Sequence, residues 1–158
     1  MMQRAPRAIG ALAVEHYKEN FVKGGFVNNG LNPWPKRKGD KDPGRATLVK
    51  RARLKNGNRI FRANQKEVVI GNSVPYAKIH NEGGTITQSA RSELFVRNRR
   101  KKGAGKGRFK RGTQAGRGFS YGDRKIRIPK RQFMGDSKEL RTKITNWYIT
   151  NLRREGII

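Results

Sequence analysis

Histidine, carboxylate and a glycine-framed lysine are the residue types in this chain from which a reaction centre could be built. Each is scarce or badly spaced. The two histidines are His16 and His80. His80 and Glu82 could share a metal ion, but a third protein ligand has no evident source. His80 therefore reads as a histidine packed or hydrogen-bonded locally. Asp40 and Asp42 lie close together in a basic loop, where charge compensation accounts for them. Lys106 stands among glycines between Gly103 and Gly107, as a lysine does in a phosphate-binding loop. The full spacing and the Ser or Thr after the lysine are missing. The chain has no cysteine, which excludes disulfides, thiolate metal sites and thiol nucleophiles. No catalytic, metal or cofactor site emerges, and the expectation is a protein without enzymatic activity.

A different chemistry is abundant. Lys and Arg number 38 against 11 acidic residues, a formal net charge of +27 with a pI near 11.6. Such a balance steers polyanions over a Debye length of about 8 Å at physiological salt. The charge peaks in one stretch, residues 97–118, which holds ten basic residues, six glycines and no acid. Its cations are Arg97, Arg99, Arg100, Lys101, Lys102, Lys106, Arg108, Lys110, Arg111 and Arg117. These are the candidate contacts to a polyanion or an assembly neighbour. On a glycine scaffold they supply charge without fixed donor geometry, which suits phosphate contact without base discrimination or docking on an acidic protein. The stretch is too polar to offset its ordering entropy, so a flexible arm or long hairpin is expected there.

At 158 residues, with 34% hydrophobic residues, the chain suits a single domain of modest core, with 97–118 as its arm. Ile9, Leu12, Ala13, Tyr17 and Phe21 share one face of a helix expected over residues 6–22, with Pro6 in its first turn and Gly24-Gly25 as its stop. A loop follows to about Arg45, in which Trp34, between Pro33 and Pro35, is expected to anchor the loop to the body. Asn56-Gly57 signals a tight turn. Strands are expected at 59–62, 67–70, 85–87, 93–97 and 125–128, with a short element between 74 and 81. The final helix carries Leu140, Ile144, Trp147, Tyr148 and Leu152 on one face, with Asp136 and Glu139 as a capping box and Gly156 as a stop. No stretch is long and apolar enough to span a membrane, and residues 1–14 do not read as a signal peptide.

Three segments, in this order along the chain, resemble the phage virion-morphogenesis or tail-completion family. The weakest comes first: Thr47-Leu48 followed by Arg53-Leu54 is similar to the family's "T-L-(x)n-T-G-x-L", with Ala52 in place of the usual glycine. The most specific runs from Val74 to Gly84 and looks like "Y-A-x-I-H-(polar)-x-G", carried by Tyr76, Ala77, Ile79, His80 and Gly83. The last, Ile128 to Gly135, resembles "I-P-x-R-x-F-(apolar)-G" through Pro129, Arg131, Phe133 and Gly135, with Gln132 where the family usually has proline. Within it Pro129 should end a strand and Phe133 and Met134 should pack under the final helix. Arg131 should remain free for a carboxylate or a neighbouring subunit.

The resemblance implies an α+β fold, a small antiparallel sheet flanked by N- and C-terminal helices. It also implies a structural virion protein at the tail end or head–tail junction, assembled in the host cytoplasm. Such a protein forms a ring of itself, sixfold in the family's manner, against the tail tube and the head-connector or neck proteins. Non-specific contact with genomic DNA would be compatible with the charge, and no membrane contact is expected. The competing reading is a basic nucleic-acid-binding protein, ribosomal-like or DNA-packaging. It explains the charge equally well but not the order of the three segments. Tail type, and tail terminator against neck adaptor, are not distinguished by the sequence.

Overall fold

A computed structural model describes residues 4–37, 44–93 and 119–157. The described chain falls into two units, residues 1–84 with 128–158, and residues 85–127.

In the first unit, helix α1 (Ala5–Lys23) has proline in its first turn and ends at Gly24, whose backbone N–H returns to the Asn20 carbonyl. Its buried face is Ala13, Tyr17 and Phe21 as expected, together with the polar His16 and Asn20. The expected loop after it contains a hairpin, β1 (Gly25–Val27) with antiparallel β2 (Leu31–Pro33). Each strand has three residues, too few for alternation to show in the sequence. Only Asn28-Asn29-Gly30 marks the turn, with Asn29 left-handed at φ 55°.

Trp34 anchors the loop as expected. It is 7% exposed and packs edge-on against Phe21, with ring centroids 5.4 Å apart. The Asn56-Gly57 signal has a different outcome. Arg53–Asn56 form one helical turn, α2, closed by the Gly57 N–H on the Arg53 carbonyl at 2.8 Å. Gly57 has a helical φ of −72°. It is needed for closeness, since a Cβ there would lie 2.6 Å from the Asn72 side-chain oxygen. The turn that joins β3 (Asn58–Ala63) to antiparallel β4 (Val68–Asn72) is made instead by Asn64. Its side-chain oxygen accepts from the N–H groups of Lys66 and Glu67 at 3.0 and 2.8 Å.

Helix α3 (Ala77–Glu82) realises the short element expected before Gly83. The closing helix α4 (Lys138–Arg154) is capped by Ser137 and not by Asp136. The Ser137 hydroxyl oxygen accepts from the Leu140 N–H at 3.3 Å and donates to Glu139 at 3.1 Å. Serine one position nearer the helix satisfies its third N–H, and Asp136 pairs with Arg141 on the surface.

Two apolar clusters hold this unit together. Phe21, Trp34, Leu54, Ala77 and Phe133 form one; Ala13, Tyr17 and Leu140 form the other, and Met134 packs against both. Burying an aromatic ring of this kind contributes about 1.5–3 kcal/mol. Met134 therefore packs under α4 as expected, whereas Phe133 packs on Phe21 with ring centroids 5.0 Å apart.

The second unit contains β5 (Gly84–Gln88) paired with β8 (Arg124–Ile128), and β6 (Arg91–Glu93) paired antiparallel with β7 (Phe119–Tyr121). Pro129 follows the end of β8, as expected. Residues 85–90 are all exposed. The architecture is α+β with helices at both ends, as the resemblance implied.

Candidate functional site

The segment from Lys130 to Gly135 has no regular structure, so its backbone polar groups must find partners outside helix or sheet ladders. They find them in side chains from three directions. Asn20 on α1 donates to the Phe133 carbonyl at 3.1 Å, and the Tyr17 hydroxyl donates to the Gly135 carbonyl at 3.1 Å. The Trp34 indole N–H donates to the Gln132 carbonyl at 2.6 Å. From α3, the Asn81 side-chain oxygen accepts from both the Phe133 and Met134 N–H groups, at 2.9 and 3.0 Å. The Arg131 N–H donates to the His80 carbonyl at 2.8 Å.

This convergence explains the spacing of the motif positions. Ala77 is buried because it faces Phe133 in the first cluster. Gly83 has φ 78°, and a Cβ there would lie 2.8 Å from the Lys130 backbone nitrogen. Only glycine satisfies both conditions. Tyr76 and His80 lie on one side of α3, their rings edge-to-face at 5.8 Å. Ile79 is half-buried on the same short helix. Burial, followed by the charge of Arg131, lowers the His80 pKa, so the ring is neutral at neutral pH.

Arg131 departs from expectation. It is 7% exposed, and its guanidinium donates from Nε to the Pro35 carbonyl at 2.9 Å and from Nη2 to the Lys36 carbonyl at 3.3 Å. Capping two carbonyls of the loop after β2 is a structural use, and it takes the side chain away from the free role expected for it. Burial, and then the neighbouring Arg37, lowers its pKa.

Asn20, Trp34 and Asn81 were given no such role by sequence reasoning. Asn81 occupies the "(polar)" position of the second motif, and that position was the available signal. Among the described residues no group of three metal-ligating side chains exists, and no helix is long and apolar enough to cross a membrane. All ten arm candidates, Arg97 to Arg117, lie outside the described residues. The strands on either side of them, β6 and β7, pair with Glu93 opposite Phe119.

No curated protein and no solved structure gives a significant match to the chain. Residues 28–153 match the phage virion morphogenesis family. That span runs from the β1–β2 turn to the last turn of α4 and takes in all three motif segments. The chain, 126 of whose 158 residues (28 through 153) lie in the match, belongs to the phage virion morphogenesis family.

Proposed function

We propose that this protein is a non-enzymatic structural component of a tailed-phage virion, forming a ring of its own copies at the tail end or head–tail junction. The observation that carries this reading is membership of the morphogenesis family over residues 28–153. Two further observations support it. Large apolar side chains remain on the surface of the first unit, with Phe61 53% and Leu31 50% exposed, and such surface suits contacts between subunits. Among the described residues of the second unit, the strands form two-strand pairs and residues 85–90 are exposed, an arrangement marginal in water on its own. Packing against a neighbour would cover it. Ring closure requires a heterologous interface, and a basic arm reaching an acidic neighbour is one means of making it.

The competing reading, a dedicated nucleic-acid-binding protein, is favoured by the +27 charge. It leaves the match of residues 28–153 to a morphogenesis family unexplained.

The test is electron microscopy of particles from a phage in which this reading frame is stopped early. Filled heads separated from tails, or tails of uncontrolled length, are expected; normally joined particles would overturn the proposal. An in-frame deletion of residues 99–117 refines it. The deleted protein should keep its circular dichroism spectrum yet fail to incorporate, and normal incorporation would remove the arm from the mechanism.

A further inference from the structure

The chain between Arg45 and Leu54 forms one wall of an open cleft of about 400 Å³ in the first unit. Leu48, Leu54 and Tyr76 supply its apolar surface. Lys50, Arg51 and Arg53 are exposed on it, while the nearly buried Arg131 contributes from within. Among the described residues that line it, none is acidic. Lys50, Arg51 and Arg53 make no ion pair with any described residue.

The wall is held in an unfavourable shape. Leu48 and Ala52 are both left-handed, at φ 62° and 52°, which costs a non-glycine residue about 1–2 kcal/mol each. Strain of this kind persists where the surroundings fix it, and it gathers at ligand clamps. Here it encloses Lys50 and Arg51 and immediately precedes Arg53, and all three line one opening. Core packing does not require these three charges, and the motif convergence does not use them.

We propose that this cleft is a docking site for an acidic peptide segment, rich in Asp or Glu, from an assembly partner. Size decides between an acidic peptide and duplex DNA. A volume of about 400 Å³ admits a few extended side chains, but a duplex is too wide to enter. Duplex phosphates would reach only the rim and leave the exposed Tyr76 ring and the half-buried Leu48 uncovered. An extended peptide can cover that surface with its chain while its carboxylates reach the guanidinium groups. Arginine suits the task because its planar fork holds a carboxylate through two parallel hydrogen bonds.

The choice of an assembly partner as the source of the segment rests on the proposed function. Peptide binding by the purified chain does not. Normal particles from the stopped phage, with binding retained in vitro, would lose the function and keep the cleft.

The test is fluorescence anisotropy of the full chain with labelled hexaglutamate, and separately with a short labelled DNA duplex. The pair Arg51→Glu/Arg53→Glu should weaken hexaglutamate binding about tenfold or more, roughly 1.4 kcal/mol. Lys66→Glu/Lys138→Glu changes net charge equally at exposed positions outside the cleft, and should weaken it about threefold or less. Duplex binding, governed by total charge, should fall alike in both pairs. Equal loss of hexaglutamate binding in both pairs would overturn the proposal. So would loss confined to the duplex and to the cleft pair, which would assign the cleft to nucleic acid. If circular dichroism shows the Arg51→Glu/Arg53→Glu protein unfolded, Arg51→Gln/Arg53→Gln replaces it with the same readings.

Discussion

Ala52 stands where the resembling family has glycine, and its backbone explains the family's preference. At φ 52° its Cβ crowds the adjacent carbonyl, a penalty that glycine escapes. Glycine also gains freedom in the unfolded chain, which offsets part of the relief. Ala52→Gly should therefore raise stability by about 0.5–1 kcal/mol, read as a higher denaturant midpoint at unchanged slope. A lower midpoint would contradict the left-handed conformation. Arg131 carries the opposite lesson. Its type and motif position suggested a charge held out for a partner, but two loop carbonyls claim it. A long side chain can bury its stem and find backbone acceptors that are invisible until the chain has folded.

Among the elements, α3 has six residues, too few to be stable alone. It matters as the platform for Asn81, whose single side-chain oxygen serves two backbone donors of the irregular segment. Removing it leaves both N–H groups without their acceptor in a partly buried setting, at about 1–3 kcal/mol each. Asn81→Ala should destabilise the protein by about 2–6 kcal/mol in a denaturant titration. Asn81→Asp keeps an acceptor oxygen and should recover most of that loss. Equal loss in both variants would show that the side-chain oxygen is not what matters. The α3–130s contact also explains why the second and third motifs, some fifty residues apart, occur together: each satisfies the other's backbone.

On the scale of the whole molecule, the beginning of the chain is tied to its end. The Gly30 N–H donates to Glu139 at 3.0 Å, the Lys138 N–H donates to Asn28 at 3.1 Å, and Lys143 pairs with Glu19 at 3.0 Å. The Gly30 N–H, then further hydrogen bonds at the start of α4, lowers the Glu139 pKa from 4.5 to about 2. A depressed carboxylate contributes stability that is fully present above its unfolded pKa. That contribution is lost as pH falls through the folded value, so the window here runs from about 4.5 down to about 2. Glu139→Gln should flatten the loss of stability across that window, measured as denaturant midpoints at successive pH values. A slope equal to that of the native protein would show that the tie is not formed. Glu19, lowered chiefly by its hydrogen bond from Lys143, leaves a residual slope. Each protonated carboxylate also adds to a net charge that is already +27, so self-repulsion acts in the same direction.

The sequence by itself determined the two terminal helices, the β3–β4 strands, the anchoring of Trp34 and the α+β class. Each rests on local signals: helical periodicity, alternation, a proline-flanked aromatic, and motif order. The family likeness was also legible there. Tertiary structure alone decided three things. It made a hairpin of residues 25–33, where strands of three residues leave no period to read. It chose Ser137 over Asp136 as the cap of α4, because capping depends on backbone angles that both residue types permit. It also drew Tyr17, Asn20, Trp34 and Asn81 onto one irregular segment and set Arg51, Arg53 and Arg131 around one cleft. Those groups are far apart in sequence, and their hydrogen bonds and shared field exist only at the distances the fold creates.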